Sequence, residues 1–247
     1  GIVASRPFRA PHHTATRVAL TGGGANARPG EISLAHNGVL FLDELPEYTR
    51  ATLEILRQPL EDGKVVVSRA ARTVEYPARF MLVASMNPCP CGNLGSETAE
   101  CTCTPAQVAR YLSRVSGPLL DRIDIHIEVG GVTYDELASS SYGESSEKVR
   151  ARVNEARAVQ LRRFEGSAAH CNAQMTNAQL IEFCALDAAG ESLLRTAFGK
   201  LGLSARAYTR ILKVARTIAD LAGSDKVLKN HVAEALQYRS LDRSYWQ

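Results

Sequence analysis

The sequence Val39-Leu40-Phe41-Leu42-Asp43-Glu44 sets four apolar residues directly before two carboxylates. A short apolar run that follows a turn, here Asn37-Gly38, is typical of a buried parallel strand. Because ligands of α/β proteins bind at the carboxyl ends of parallel strands, the pattern predicts a functional sheet edge at Asp43 and Glu44. Taken alone, the two acids are equally typical of a helix N-cap followed by a solvated side chain.

Segments on the C-terminal side of this run alternate between strand and helix patterns. Residues 64–76 predict a β hairpin, and residues 80–85 predict a second buried strand. Helices are expected over residues 49–58 and 105–115, and a third strand is expected over residues 123–129. Alternation of this kind predicts an α/β layer built on a parallel sheet.

The second half of the chain has a helical pattern. Residues 139–146 are small and polar, which is typical of a linker between folded units. Thr176 with Gln179 forms a capping-box pattern, and Ser204 can cap a further helix whose apolar residues recur at helical spacing. We therefore divide the chain into an α/β core at residues 1–133, a Ser-rich linker at residues 134–147 and a helical domain at residues 148–247.

The composition excludes some classes of protein. The 247 residues are 45% hydrophobic, which is enough for one large core or two modest cores. A formal net charge of +3 does not require a nucleic-acid partner, since dedicated nucleic-acid-binding proteins carry a dense basic face. No apolar run approaches the roughly 20 residues of a membrane-spanning helix, and the N-terminus lacks the apolar core of a secretion signal. We expect the protein to work in the cytoplasm.

Four of the six cysteines form two Cys-x-Cys pairs, Cys89-Pro90-Cys91 and Cys101-Thr102-Cys103. In a reducing compartment such a cluster favours metal binding over cross-linking, and four thiolates can close a tetrahedral site for structural zinc. The spacing departs from the commoner Cys-x2-Cys pattern, so free thiols or oxidised pairs are the alternative. The isolated Cys171 and Cys184 are interpreted as small core residues.

The segment from Pro29 to Leu45 resembles the Walker B region of magnesium-chelatase-like AAA+ ATPases of the ComM/YifB type. Residues 7–14 (PFRAPHHT) and 116–124 (SGPLLDRID) resemble further signatures of this family, and the resemblance extends over essentially all of the chain. It implies a P-loop AAA+ core with a parallel sheet, followed by an all-α helical lid domain. It also implies a nucleotide site that uses ATP and Mg²⁺.

Three residues of the α/β core receive roles in nucleotide hydrolysis. Asp43 would hold Mg²⁺ between the β- and γ-phosphates, and Glu44 would polarise the attacking water as a general base. The resemblance implies that Asn87 is the sensor that positions this water through its amide group. Without the flanking strands, Asn87 would be interpreted as part of an ordinary Asn-Pro turn.

The resemblance implies phosphate-contacting roles for three arginines. Arg122 resembles the arginine finger that reaches the ATP of a neighbouring subunit, which implies active sites shared between subunits of a ring. The alternative for Arg122 is an intramolecular salt bridge to Asp121 or Asp124. Arg206 resembles a sensor-2 residue that contacts the γ-phosphate, and Arg210 is the rival candidate for this role.

Two segments match positions where the family carries inserts. Residues 17–28 match the helix-2 insert and residues 64–76 match the pre-sensor-1 hairpin, elements that face the central pore in related helicases. Arg69 and Arg72, near the hairpin tip, either contact a DNA phosphate backbone or belong to a solvated turn. His12 and His13 receive no chemical role, because the sequence indicates no partner for them.

The sequence contains no Gly-x4-Gly-Lys-Ser/Thr, the phosphate-binding loop of P-loop ATPases. The resemblance puts that loop upstream, so we expect a portion of a longer protein that is inactive as an ATPase by itself. The favoured hypothesis is a hexameric, ring-forming ATPase that remodels or branch-migrates DNA. The alternatives are a chelatase-type motor that remodels a protein partner, and a non-catalytic, zinc-stabilised interaction module.

Overall fold

The computed structural model describes residues 5–69, 72–96, 99–131 and 143–239. The chain forms two compact units, one ending at Ile123 and the other beginning at Asp124. Each unit has its own cluster of buried apolar side chains. The α/β character of the first unit and the helical character of the second confirm the fold class expected from the sequence.

The first unit is built on a three-stranded parallel sheet. The strands of this unit are β1 (Phe8–Arg9), β2 (Gly22–Gly23), β3 (Arg28–Pro29), β4 (Val39–Leu42), β5 (Lys64–Arg69), β6 (Arg72–Pro77) and β7 (Met81–Ala84). Strand β4 lies between β1 and β7 and pairs in parallel with both, with Leu40 opposite Leu82. The strands expected near residues 39–42 and 80–85 are therefore confirmed, but the expected burial of the second is wrong, because β7 lies at the edge of this sheet and its side chains are mostly exposed.

Short helices complete the first unit. They are α1 (Arg17–Thr21), α2 (Glu31–Leu34), α3 (Arg50–Glu54), α4 (Arg57–Asp62), α5 (Pro105–Leu112) and α6 (Gly117–Leu120). Strand and helix side chains share one core, in which Leu20, Ile32, Leu42 and Leu119 are fully buried. Burying a side chain of this size stabilises a fold by about 1.5–3 kcal/mol, so this core holds the sheet in place.

Gly38 sets the spacing between β1 and the start of β4. The backbone N–H of Val39 donates to the carbonyl oxygen of Pro7 at 2.9 Å. A Cβ atom at Gly38 would lie 1.9 Å from that same oxygen, a distance that non-bonded atoms do not reach. Only glycine therefore permits this approach of the two backbones.

Strands β5 and β6 form the expected hairpin. They pair in antiparallel register from Lys64 opposite Pro77 to Arg69 opposite Arg72, and residues 70 and 71 lie outside the described part of the chain. The hydroxyl of Tyr76 donates to the carbonyl of Ala27 at 2.6 Å. This bond fixes the base of the hairpin to the turn between β2 and β3.

The single helix expected over residues 49–58 is wrong in its continuity, because the chain forms α3 and α4 as two short helices. Thr49 caps the first helix by accepting from the backbone N–H of Thr52, and the second begins at Arg57. Pro59 explains the break, since a proline has no N–H to donate to the carbonyl of Ile55 and its ring crowds that group.

The third strand expected over residues 123–129 is not formed. Its alternating apolar residues Ile125, Ile127 and Val129 are 46%, 67% and 84% exposed, and the segment has no regular secondary structure. A strand needs a neighbour that satisfies its backbone groups, and no described strand pairs with this segment. The backbone N–H of His126 donates instead to the carbonyl of Tyr238 at 2.8 Å.

The second unit is helical in its described part. Its helices are α7 (Ser146–Arg163), α8 (Asn177–Phe183), α9 (Ala188–Leu201), α10 (Ala205–Leu221) and α11 (Lys229–Gln237), with a 3-10 turn at Asn172–Gln174. The capping box of Thr176 and Gln179 and the cap at Ser204 are confirmed. Most of the expected linker lies outside the described residues, so the domain borders at 133 and 148 stay predictions.

A buried ionic cluster joins three segments of the helical unit. The carboxylate of Asp220 is fully buried and accepts from Arg163, Arg216 and Asn172, the Arg163 bond to Oδ2 measuring 2.7 Å. Burial disfavours the carboxylate, but hydrogen bonds from Arg163 and Asn172 outweigh it and keep the pKa of Asp220 below its ordinary value. None of the helices in the described part of the chain has the length and apolar content needed to cross a lipid bilayer.

Candidate active site

The carboxyl ends of β4 and β7 bring the predicted hydrolytic residues to one sheet edge. Asp43 and Glu44 directly follow β4, and Asn87 lies three residues after β7, its parallel neighbour. Ser85 joins the two strand ends, because its hydroxyl donates to Asp43 Oδ1 and its carbonyl accepts from the N–H of Leu45 at 2.9 Å. The side chains of Asp43, Glu44 and Asn87 are exposed at this edge.

Glu44 has a left-handed backbone, with φ 51° and ψ 50°. This conformation costs a residue with a Cβ atom roughly 1–2 kcal/mol, and such strain persists where the surrounding structure enforces it. Here the N–H of Glu44 donates to Asp43 Oδ1 at 3.1 Å, and Leu45 and Pro46 are buried directly after it. The backbone therefore turns sharply after β4, and Glu44 precedes a 3-10 turn at Leu45–Glu47 without a side-chain capping hydrogen bond.

His13 contacts Glu44, a partner that the sequence did not indicate. His13 Nδ1 lies 2.9 Å from Glu44 Oε2, and its ring packs against the ring of His12 at an interplanar angle of 35°, with centroids 4.1 Å apart. The two histidines follow β1, which pairs with β4, so they lie at the same sheet edge as the acids. That placement is the sequence signal that could have revealed the contact.

Tyr48 supports the loop that carries His13. Its ring meets the His13 ring edge-on with centroids 6.4 Å apart, and its hydroxyl donates to the carbonyl of Pro11 at 2.5 Å. Burial, together with the negative charge of Asp43, raises the pKa of Tyr48 to about 12. The hydroxyl therefore stays protonated and keeps donating across the whole physiological range.

Asn87 lies close to the phenol of Tyr111 in helix α5. Burial, followed by the charge of Glu47, raises the pKa of Tyr111. A Cβ atom at Gly92 would lie 4.0 Å from Asn87 Cγ, so the next turn of the loop passes beside the Asn87 side chain.

The four clustered cysteines come together in the loop between β7 and α5. The Sγ of Cys89 lies 3.4 Å from that of Cys91 and 3.7 Å from that of Cys101, and Cys91 and Cys101 are 3.6 Å apart. Cys103 completes the group, in which all four sulfurs lie within 4.8 Å of one another. These four residues could hold a metal ion. Cys184 is buried in the helical core, as expected, and Cys171 is half-buried.

Arg122 is buried in an intramolecular ion pair. Its guanidinium donates to Glu61 and to the carbonyl of Pro118 at 2.7 Å, and its side chain is 7% exposed. An intramolecular salt bridge of Arg122, the alternative to the finger role, is thus formed, with Glu61 as its partner. Arg122 lines a surface pocket of about 300 Å³ that is otherwise walled by side chains of α3 and α4.

The two sensor-2 candidates lie on α10 in the second unit. Arg206 is exposed in the first turn of the helix. Arg210, one turn later, donates to the carboxylate of Asp124. In the β5–β6 hairpin, Arg69 and Arg72 form the last described backbone pair before the tip.

Comparison with known proteins assigns the family. A model of "Magnesium chelatase, subunit ChlI" matches residues 1–137, and a model of the C-terminal part of that subunit matches residues 143–239. The chain belongs to the magnesium-chelatase ChlI family. The carboxylates after β4, the amide after β7 and the arginine after α6 all lie within the first match.

Within the ChlI family the chain is similar to competence-related and chelatase proteins. It is 50% identical to "Competence protein ComM" of Haemophilus influenzae and 48% identical to "Uncharacterized protein YifB" of Escherichia coli, each over 96% of this chain. The "Magnesium-chelatase 38 kDa subunit" of Chlorobaculum parvum is 37% identical over 28% of this chain and 20% of its own length. The chain spans 46% of the ComM and YifB sequences, a little under half.

Proposed function

We propose that this chain is part of a cytoplasmic, ring-forming ATPase, a hexamer, that hydrolyses ATP with Mg²⁺ to remodel or branch-migrate DNA. The observation that carries the proposal is the meeting of Asp43, Glu44 and Asn87 at one edge of a parallel sheet. That edge is where α/β proteins bind ligands, and hydrolysis needs a metal ligand, a base and a neutral donor there.

The donor atoms at this edge suit Mg²⁺. Asp43 and Ser85 present a carboxylate and a hydroxyl side by side, and Mg²⁺ selects hard oxygen ligands of this kind. When bound, Mg²⁺ would neutralise charge on the phosphate oxygens of ATP. Asp43 and Ser85 are the residues of this chain that would hold the ion.

Glu44 is the general base of the proposed reaction. Its exposed carboxylate takes a proton from the attacking water, and the amide of Asn87 orients that water from the neighbouring strand. His13 acts through Glu44 as a positioning residue, since a contact of 2.9 Å fixes one carboxylate oxygen and leaves the other for water.

The arginines complete the site from outside the sheet edge. Arg122 exchanges Glu61 for the phosphates of a neighbouring subunit when the ring assembles, and the pocket beside it gives the room for this exchange. Arg206, exposed in the first turn of α10, contacts the γ-phosphate, and Arg210 is held back by Asp124. The sequence resemblance to ComM-type ATPases implies the DNA substrate, and Arg69 and Arg72, the last described backbone pair of the hairpin, are the candidates for phosphate contacts.

The test is ATP hydrolysis by the full-length protein that contains this chain, with and without branched DNA. Glu44→Gln is expected to lower kcat by about 10²–10⁴-fold while ATP binding is kept, because only proton transfer is lost. Arg122→Ala is expected to lower kcat by about 10³-fold or more. Glu191→Gln, an exposed acid on α9, is the control and keeps the parent rate.

Mixing the two inactive variants tests whether the site is shared. A ring that contains both offers some interfaces with an intact Glu44 on one side and an intact Arg122 on the other, so hydrolysis should partly return. No recovery would assign Arg122 to its own subunit. Hydrolysis that ignores DNA would favour a motor that remodels a protein partner, and a parent without hydrolysis would favour the interaction module.

A further inference from the structure

We propose that Cys89, Cys91, Cys101 and Cys103 bind one structural zinc ion, and that this ion fixes the loop that carries Asn87. The binding of zinc stands on the geometry of the four thiols alone. The importance of the loop for hydrolysis rests on the proposed function.

The sulfur positions match a tetrahedral site. A zinc–sulfur bond of about 2.3 Å in tetrahedral geometry separates each pair of sulfurs by about 3.8 Å. Three of the sulfur pairs measure 3.4, 3.6 and 3.7 Å, and all four sulfurs lie within 4.8 Å of one another. A contraction or shift of a few tenths of an ångström therefore suffices to bind the ion.

Other fates of the four cysteines fit the distances less well. A disulfide brings two sulfurs to about 2.05 Å, and the structure has four sulfurs at similar contact distances rather than two bonded pairs. An iron–sulfur cluster inserts several iron and sulfide atoms between its thiolates and so needs wider spacing than this. Four soft donors without oxygen or imidazole favour zinc over Mg²⁺ or Ca²⁺.

The site ties both ends of the loop to the sheet edge. Cys89 lies two residues after Asn87, and Cys103 lies two residues before Pro105, the first residue of α5. The buried Tyr111, near the far end of that helix, lies close to Asn87 and Cys89. The ion would thus join the start of the loop, next to Asn87, to the end that leads into α5.

Metal analysis of the purified full-length protein tests the first part. We expect about one zinc per chain, reduced below about 0.1 in Cys101→Ala/Cys103→Ala and kept in Cys171→Ala, a cysteine outside the cluster. The single variant Cys103→His should keep its zinc, because imidazole nitrogen is also a zinc ligand. Replacement by Co²⁺ should give the intense visible absorption of a tetrahedral thiolate site even if the double variant fails to fold. Absence of zinc from the parent, iron with sulfide in its place, or equal zinc in all variants would overturn the assignment.

Hydrogen exchange tests the second part without using hydrolysis. Removal of zinc by a chelator should speed exchange of the Asn87 and Cys89 amides at least tenfold and leave the amides of α10 unchanged. Unchanged exchange at Asn87 would show that the ion does not fix this loop. A protein that binds zinc and protects Asn87 but hydrolyses no ATP would refute the ATPase proposal and keep this one.

Discussion

At the scale of single residues, His13 is expected to govern the rate through Glu44. His13→Ala in the full-length protein should lower kcat about 10- to 100-fold with little change in KM for ATP, because a misplaced base slows chemistry without losing phosphate contacts. His13→Asn, which keeps a polar group near the carboxylate, should restore part of the rate. Steady-state kinetics of both variants provides the measurement.

His12→Ala is the matched control for His13, since His12 packs against the His13 ring and hydrogen-bonds to Thr14. It should keep most of the parent kcat. An equal loss in both alanine variants would mean that the loop as a whole, rather than the contact of His13 with Glu44, supports the rate.

The residue types of the candidate site could be predicted from the sequence, whereas their partners could not. Asp43 and Glu44 can be recognised as candidates from the sequence because apolar residues directly precede them. His13 and Glu44 lie 31 positions apart, and Arg122 and Glu61 lie 61 apart, so only the folded sheet and the packing of α4 bring them together. A local pattern shows which groups can react, but not which distant side chain will restrain them.

At the scale of elements, the confirmed strand predictions differ from the wrong one in whether the folded chain supplies a pairing partner. The run that became β4 lies between β1 and β7, whereas β7 is an edge strand with mostly exposed side chains, and apolar character marks both runs. Residues 123–129 have an alternating pattern of the same quality, but pairing depends on a second strand. The sequence of a segment indicates its strand propensity, whereas the strand with which it pairs depends on the rest of the fold.

Gly38→Ala should weaken the pairing of β1 with β4. The added methyl group would collide with the carbonyl of Pro7, and relief requires the two backbones to separate. We expect a loss of about 1–3 kcal/mol in the free energy of unfolding of the α/β unit, measured by chemical denaturation. Gly117→Ala, at a position with open space around the new Cβ atom, is the control and should not destabilise the protein.

Asp220→Asn should destabilise the helical unit by about 3–5 kcal/mol at neutral pH, because Arg163 and Arg216 stay buried without a counter-charge. The lowered pKa of Asp220 also makes stability depend on pH. The contribution is complete above the ordinary carboxyl pKa of 3.8 and is lost as the pH falls through the lower folded value. Thermal unfolding between pH 7 and 2 should show this loss in the parent and a flatter profile in the variant.

Glu191→Gln serves as the control for Asp220→Asn. Glu191 pairs with Arg195 one helical turn away, and both side chains are largely exposed. Solvent screens such a pair, so the melting temperature should stay at the parent value. A comparable drop in this variant would show that any lost charge, rather than the buried cluster, destabilises the helices.

At the scale of the whole molecule, the two separate cores predict separate folding. Residues 143–247 produced alone should keep their helices, because the apolar cluster and the Asp220 cluster of this unit are built from its own residues. Circular dichroism should show a cooperative transition with the acid sensitivity described for Asp220. A non-cooperative melt would mean that this unit depends on the α/β unit for its stability.

Because Glu44 has a left-handed backbone, selection for stability and selection for hydrolysis should favour different residues at this position. Glycine, asparagine and aspartate adopt this conformation at less cost, so selection for stability alone would drive position 44 away from glutamate. Lineages that lose the hydrolytic role should therefore drift to those residues, and lineages that keep it should not. A library at position 44, sorted once for yield of folded protein and once for function, should enrich opposite residues.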